Sequence, residues 1–131
     1  MPSIFTRIIE REIPAHILRE DEEFLAFLDV RPIREGHTLV IPKAEIPDPF
    51  DLPEPLLAGL LPFARPVAQA IKQVTQATRV GMAVIGLEVP HAHVHLVPID
   101  GLHDLDFRRA RPADDDELAA MAERIRGALG S

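Results

Sequence analysis

Three histidines stand at alternate positions in the stretch "PHAHVHLVP", residues 90–98, with apolar residues between them and a proline at each end. Side chains of an extended strand alternate between its two faces. His91, His93 and His95 therefore share one face of the predicted strand, and the intervening apolar residues occupy the other face. A strand of this kind packs against a core on one side and presents imidazoles on the other.

A fourth histidine, His37, begins the strand-like run "HTLVIP", residues 37–42, and directly follows Gly36. A polar ring that opens an apolar strand lies at the edge of a core, where a site can form. If this strand neighbours the strand of the alternating histidines, four of the six histidines in the chain converge.

The remaining periodicities predict both helices and strands. Apolar spacing predicts a short helix over 3–11, and the charged triplet 20–22 between two apolar runs predicts a β-hairpin. A long helix follows residue 55, and its Pro62 and Pro66 predict a kink or two shorter helices. Further strands are predicted over 79–86 and 91–98, and a C-terminal helix over about 113–129.

Length and composition narrow the class of protein. A chain of 131 residues predicts a single domain over 1–131, and the lack of cysteine predicts neither disulfides nor thiolate metal ligands. The net charge of -7 disfavours binding to a nucleic acid polymer. The N-terminal stretch has no continuous apolar segment typical of a secretory signal, and no long apolar run predicts membrane insertion. We therefore expect a cytoplasmic protein.

Three interpretations compete for the histidines. A solvated, histidine-rich surface is the simplest, although strict alternation disfavours it. A metal site is the second, because neutral imidazole is a common metal ligand. The outer two Cβ atoms of a straight strand lie about 13 Å apart, too far for one ion to bind all three rings. His91 and His93 with His37 remain a candidate metal set.

The third interpretation is a nucleophile with assisting groups. His93 has a histidine on each side, so its ring could attack phosphorus while the flanking rings orient it or stabilise negative charge. Repulsion between neighbouring imidazolium ions favours the neutral, nucleophilic ring. A phosphoryl- or nucleotidyl-histidine intermediate would then be hydrolysed by water.

The chain resembles the histidine triad (HIT) family of nucleotide hydrolases and transferases. Its signature is His-φ-His-φ-His-φ-φ, with φ apolar, and "HAHVHLV", residues 91–97, matches it in full. "SIFTRIIEREIPA", "FLAFLDVRP" and "GHTLVIPK" resemble other blocks of the family in the family's order, so that the likeness covers about residues 3–99. It implies an α+β fold in which an antiparallel sheet of about five strands carries flanking helices, and a homodimer that shares one continuous sheet.

The resemblance also implies residue roles. His93 would be the nucleophile that takes a nucleoside monophosphate, and His95 would contact the transferred phosphate. His91 and His37 would orient the site, and Asp29 would bind the ribose hydroxyls. A set of apolar side chains would wall the base: Ile4, Phe5, Ile8, Phe27, Val30 and Leu39.

These roles imply a hydrolase or transferase acting on small AMP conjugates, either phosphoramidates or dinucleoside polyphosphates. No cofactor is required for the attack, although magnesium could accompany a polyphosphate. Two alternatives stay open: a nucleotide-binding module with little turnover, and a histidine-ligated metal site in an unrelated small fold.

The chain departs from the family at two places. Some members hold a structural zinc at positions that correspond here to Ser3, Thr6, Glu45 and His91, and three of these four are not the family's ligands, so no structural zinc is expected. The loop before the triad is reduced to "GLEVP", residues 86–90, where Leu87 and Glu88 replace polar residues that reach the phosphate or the leaving group. The sequence therefore does not predict the identity of the leaving group.

Overall fold

A computed structural model describes residues 2–130 of the chain. Its helices and strands alternate irregularly, and three 3₁₀ turns connect some of them: Pro49–Asp51, Leu102–Asp104 and Phe107–Arg109. In chain order the helices and strands are α1 (Ile4–Ile9), β1 (Ile17–Glu20), β2 (Phe24–Leu28), β3 (Thr38–Pro42), α2 (Glu54–Thr75), β4 (Arg79–Ala83), β5 (Val94–Ile99) and α3 (Asp115–Leu129).

The five strands form one antiparallel sheet in the order β1-β2-β3-β5-β4. The predicted hairpin is β1–β2, and its turn is closed by the Asp21 carboxylate, which accepts hydrogen bonds from the backbone N–H groups of Glu23 and Phe24 at 2.8 Å each. The expected α+β class, with about five strands and flanking helices, is confirmed.

The sheet is buried on both faces, and this explains why β2 and β3 consist of buried residues throughout. On one face α2 and α3 pack over side chains such as Val40, Val94 and Leu96. On the other face α1 covers a smaller cluster that includes Phe5, Phe27 and Leu39. The histidine site borders this second, smaller cluster.

The predicted C-terminal helix is present as α3. Asp115, Asp116 and Glu117 occupy its first turn, where negative charge interacts favourably with the helix dipole. Its apolar stripe is buried against α2, with Met121 and Ile125 among the buried residues. The Arg126 guanidinium reaches the β1 edge of the sheet and donates to the Ile17 carbonyl at 2.8 Å.

Pro62 and Pro66 predicted a kink or two shorter helices, and the second alternative is not observed, because α2 continues through both prolines as one element of 22 residues. Pro62 is exposed, so the carbonyl it leaves without a donor, that of Ala58, also lies on the exposed side. Phe63 and Val67 on the opposite side are buried in the core. This packing holds the helix together across both prolines.

The strand predicted over 91–98 is also corrected, since β5 starts only at Val94. Pro42 ends the partner strand β3 and has no N–H to donate to a ladder. The Pro42 carbonyl instead accepts from the His91 ring at 2.7 Å, and the Ala92 N–H donates to the Ile46 carbonyl at 2.7 Å. His91 and His93 are therefore held outside the sheet.

The strand predicted over 79–86 is likewise shorter, ending at Ala83. Gly86 then adopts a left-handed conformation with φ of +71°, which suits a residue without a Cβ. Residues 84–93 thus form a connection that turns back toward the site. No helix within residues 2–130 has the length and apolar character needed to cross a membrane.

Candidate active site

The pairing of β3 with β5 brings His37 and His95 together. Leu39 lies directly opposite His95 in this antiparallel pair, and His37 precedes Leu39 by two residues on the same face. His37 Nε2 lies 3.0 Å from His95 Nδ1. The strand that follows His37 and the strand that contains His95 are therefore neighbours, which was the condition for the histidines to converge.

A backbone group sets the proton position on His37. The Ile33 N–H donates to His37 Nδ1 at 3.0 Å, so this nitrogen carries a lone pair and the proton of the neutral ring is on Nε2. His37 Nε2–H then donates to His95 Nδ1. The proton of the neutral His95 ring must in turn be on Nε2, and a single backbone amide thus orients two rings.

Burial keeps both rings neutral. Loss of solvation lowers the pKa of His37 from 6.5 to about 4. Loss of solvation, with smaller contributions from His37 and His93, also lowers the pKa of His95 to about 4. Near neutral pH, therefore, His95 offers a neutral N–H donor.

His93 has the opposite arrangement of its proton. Its Nδ1 lies 2.7 Å from the His91 carbonyl, an acceptor only, so Nδ1 carries the proton and Nε2 carries the lone pair. The Phe5 ring meets the His93 ring edge to face at 5.0 Å between centroids, and the His95 ring lies 5.1 Å away. A nucleophilic nitrogen is consequently held beside the His95 ring.

His91 supplies a backbone acceptor and a structural anchor. Its Nε2–H donates to the Pro42 carbonyl, and its Nδ1 accepts from the Ser3 hydroxyl at 2.8 Å. Burial lowers the pKa of the His91 ring, which favours this neutral form. The side chain is fully buried, so its ring orients the neighbouring chain, and His93 and His95 are the histidines that line the cavity.

The positions associated with zinc in the family do come together, as a hydrogen-bonded cluster. Glu45 accepts from the Ser3 N–H and from the Thr6 hydroxyl, both at 2.6 Å, and Ser3 links to His91. Two neutral hydroxyls do not fit zinc, which favours thiolate, imidazole and carboxylate ligands. The imidazole nitrogen that faces the cluster, His91 Nδ1, already accepts a hydrogen bond from the Ser3 hydroxyl. The expectation of no structural zinc stays a prediction, and this donor set supports it.

A cavity of about 410 Å³ opens beside His93 and His95. Its wall comes from α1, β3, the connection between β4 and β5, and the 3₁₀ turn near residue 107. The residues lining it are Ile4, Phe5, Asp29, Leu39, Ile85, Gly86, Leu87, Glu88, Val89, His93, His95 and Phe107. The volume and the mostly apolar wall suit a small ligand with one polar end.

The six residues predicted to wall a base are placed differently from one another. Ile4, Phe5 and Leu39 line the cavity. Ile8 and Phe27 are buried behind it in the same apolar cluster, where Phe27 contacts Phe5 edge to face at 5.6 Å. Val30 is 58% exposed and is not part of the cavity wall. Half of the predicted set can thus contact a ligand directly.

Asp29 lies in the cavity wall, where one carboxylate oxygen accepts a backbone hydrogen bond and the other lies near the His37 ring. Its Oδ1 accepts from the Arg31 N–H at 2.9 Å, and its Oδ2 lies 3.6 Å from His37 Nε2. Burial raises the pKa of this carboxyl group. The second oxygen is in a position to accept from a ligand hydroxyl.

Phe107 is a site residue that the sequence did not predict. Its ring meets the His95 ring edge to face at 4.7 Å between centroids and lies 6.3 Å from the His37 ring. It belongs to a short turn beyond the core of the family resemblance, and a lone phenylalanine there has no periodicity that would point to the site. Phe107 shields the hydrogen bond between His37 and His95 from water.

Asp29, His37 and His95 are close enough together to be considered as ligands of one metal ion. The Ile33 N–H argues against this, because it occupies the Nδ1 lone pair of His37. A metal on Nε2 would then require an imidazolate ring, since neutral imidazole has only one free lone pair. The donor geometry fits a hydrogen-bonded relay better than a cation site.

Comparison with known proteins decides the family. The family model of the HIT domain matches residues 10–102, more than half of the chain. The chain belongs to the HIT family. The alternating histidines and the five-stranded antiparallel sheet are thus family features, and the predicted resemblance is confirmed.

Curated relatives of this HIT protein include named enzymes. The chain is 40% identical over 96 residues to the adenosine 5'-monophosphoramidase HNT1 of Saccharomyces cerevisiae, a match that covers 72% of this chain and 61% of the yeast protein. It is 34% identical over 99 residues to the adenosine 5'-monophosphoramidase hnt1 of Schizosaccharomyces pombe, covering 75% of this chain and 74% of the relative. The match thus spans less than two thirds of the length of the Saccharomyces cerevisiae protein.

Solved structures share the fold over nearly the whole chain. A HIT-like protein from Bartonella henselae superposes with a TM-score of 0.84 at 29% identity, covering 96% of this chain and 95% of its own. A zinc-bound histidine triad family protein from Mycobacterium smegmatis gives 0.83 at 32% identity, covering 97% and 92%. The similarity extends to the C-terminal region that contributes Phe107.

The buried neutral histidines predict how stability depends on pH. His37 has a lower pKa in the folded chain than the ordinary 6.5, so the unfolded state binds the proton first. The contribution of each neutral ring to the free energy of unfolding is complete above pH 6.5. It is lost as the pH falls toward about 4, by up to about 1.4 kcal/mol per pH unit for each of the two rings, His37 and His95. Urea unfolding across this range measures the slope.

The variant His37→Asn isolates the effect, because its side-chain oxygen can still accept from the Ile33 N–H but does not titrate. We expect a shallower loss of unfolding free energy with acid than in the wild type. His103→Asn is the control, since that ring is 81% exposed. Equal slopes in the wild type and His37→Asn would contradict the assignment.

Proposed function

We propose that this HIT protein hydrolyses or transfers the nucleoside monophosphate of small AMP conjugates through a covalent intermediate on His93. One observation carries the proposal: the His91 carbonyl binds the Nδ1 proton of His93, which leaves the Nε2 lone pair available for attack. The monophosphoramidase names of the yeast relatives support the choice of substrate.

The attack is written as a substitution at phosphorus. His93 Nε2 forms a bond to phosphorus, and the bond from phosphorus to the leaving nitrogen breaks with its electron pair on that nitrogen. The leaving amine takes a proton from water at the cavity mouth, and water then attacks phosphorus to regenerate His93 and release AMP. The proton lost in this second step neutralises the hydroxide formed in the first.

The neighbouring groups would lower the barrier by placing donors where charge develops. The His95 Nε2–H, fixed by the relay from His37, would donate to a phosphoryl oxygen as negative charge builds there. The His91 carbonyl would stabilise the imidazolium form of His93 while phosphorus is attached to Nε2. His95 and His37 thus act through fixed hydrogen bonds and gain no proton.

The nucleoside would occupy the remainder of the cavity. Asp29 would accept from ribose hydroxyls through its free oxygen, and the side chains of Ile4, Phe5 and Leu39 would contact the base. We propose that no cofactor is required. With a polyphosphate substrate, magnesium would bind to the substrate phosphates.

Intact-mass spectrometry tests the covalent step. Wild type mixed briefly with an AMP phosphoramidate, and quenched without acid, should carry one added nucleoside monophosphate while AMP is released over time. His93→Ala should lose both the adduct and turnover, by roughly a thousandfold or more. His103→Ala, outside the cavity wall, should behave as the wild type.

The configuration at phosphorus provides an independent check when the intermediate is short-lived. Two successive displacements at phosphorus retain its configuration, whereas direct attack by water inverts it. We expect retention with a chiral phosphorus substrate. Inversion would contradict an intermediate on His93. If the protein binds AMP but does not release AMP from the phosphoramidate substrate, the chain is a nucleotide-binding module.

We also propose that two copies pair through β4. This strand is one edge of the sheet, and Met82, Val84 and Ile85 on and after it are 50%, 42% and 48% exposed. The opposite edge is covered in part by α3 through Arg126. Pairing two β4 strands would join the two sheets into one and cover these apolar side chains.

Light scattering coupled to size-exclusion chromatography tests the β4 interface. The wild type should be a dimer, and Met82→Lys should weaken it at least tenfold because the new charge would be buried between two copies. Leu102→Lys is the control, since Leu102 is 96% exposed on a separate turn. A monomeric wild type, or an unaffected Met82→Lys dimer, would contradict the proposal.

A further inference from the structure

Carboxylates and histidines are the titratable groups in the described cavity wall. Among the described residues that line it, Asp29 and Glu88 are acidic and none is Lys or Arg. Arg108 and Arg109 follow Phe107, but they pair with Asp106 and Asp104 respectively. A ligand in the cavity therefore meets carboxylates without a balancing basic side chain in the wall.

The two carboxylates differ in their availability. Asp29 accepts from the Arg31 N–H and lies beside His37, and burial raises its pKa. Glu88 is exposed and makes no hydrogen bond or ion pair with any described residue, so its charge is free to act on a ligand.

The chain between Glu88 and His93 is tied to the fold by two backbone hydrogen bonds. Glu88 precedes His93 by five residues, and the turn between them is closed by the His91 N–H, which donates to the Val89 carbonyl at 2.8 Å. The Ala92 N–H donates to the Ile46 carbonyl at 2.7 Å and ties the same stretch to the sheet end. Glu88 is thus attached to a segment whose position is set by the same contacts that hold His93.

We propose that Glu88 makes the cavity select against anionic leaving groups, so that the preferred substrates release a neutral or cationic amine. The inference rests on the proposed function and specifies its substrate class. The base and ribose are assigned to Ile4, Phe5, Leu39 and Asp29, which leaves the 85–89 segment as wall for the group beyond phosphorus.

The selection follows from the charge that each leaving group carries as its bond to phosphorus breaks. An amine takes a proton from water and departs without negative charge. A nucleoside polyphosphate departs with the electron pair of the broken P–O bond and gains negative charge beside Glu88. Repulsion therefore increases toward the transition state for the polyphosphate only, and it lowers kcat as well as binding.

A pair of substrates that differ only in charge tests the proposal. AMP joined through a P–N bond to β-alanine carries a carboxylate tail, and AMP joined to β-alaninamide carries a neutral tail of the same shape. We expect the wild type to favour the amide by roughly three- to tenfold in kcat/KM at low salt. Added salt should reduce this ratio.

Glu88→Gln removes the charge and keeps the size of the side chain. It should bring the ratio of the two kcat/KM values close to one by raising that of the carboxylate substrate, and it should raise turnover of diadenosine triphosphate in parallel. Glu22→Gln removes one exposed acid from the β1–β2 hairpin, away from the cavity wall, and should keep the wild-type ratio. Circular dichroism verifies folding, and Glu88→Ala serves as a second variant.

The outcomes separate this inference from the proposed function. The role of Glu88 would be overturned, and the proposed function kept, by either of two results. One is equal kcat/KM values of the wild type for the two substrates, and the other is an unchanged ratio of these values in Glu88→Gln and Glu88→Ala. Lack of turnover of either substrate, together with lack of a His93 adduct, would overturn the proposed function and this inference with it.

Discussion

Two backbone contacts determine which nitrogen of each site histidine carries a proton. The Ile33 N–H donates to His37 Nδ1, and this fixes a proton on His37 Nε2 and then on His95 Nε2. The His91 carbonyl accepts from His93 Nδ1 and leaves Nε2 unprotonated. Adjacent imidazoles thus present different groups to the cavity, an N–H donor on His95 and a nitrogen with a free lone pair on His93. The side chains alone could not be distinguished in this way, because both tautomers of imidazole are intrinsically accessible.

The fold could be predicted to the extent that it follows periodicity and proline chemistry. Apolar runs on either side of a charged triplet predicted the β1–β2 hairpin, the run over 37–42 predicted β3, and the C-terminal helix predicted over about 113–129 is α3. Of the two predicted alternatives at Pro62 and Pro66, a kink or two shorter helices, the second is not observed, because α2 continues through both prolines with Phe63 and Val67 buried in the core. Tertiary packing of this kind cannot be inferred from local sequence.

The sequence predicted that the histidines of two strands converge, and it did not predict how their rings are held. The sequence located the four histidines, but strict alternation suggested a straight strand, whereas His91 and His93 precede β5 and are held by contacts to Pro42 and Ile46. The role of the Ile33 amide also could not be predicted, because a backbone donor carries no residue signature. Phe107 was missed for a related reason: its contact with His95 depends on the path of the chain after β5. Backbone contacts, which sequence patterns do not report, determine the proton positions on these rings.

The most direct test of this account is the tautomeric state of the histidines, measured by long-range ¹H–¹⁵N correlation spectra of the imidazole rings near neutral pH. We predict that His93 carries its proton on Nδ1, and that His37 and His95 carry theirs on Nε2. Substitution of each histidine in turn assigns the signals. A His93 ring protonated on Nε2 would contradict the account, because the nitrogen proposed to attack phosphorus would then have no lone pair.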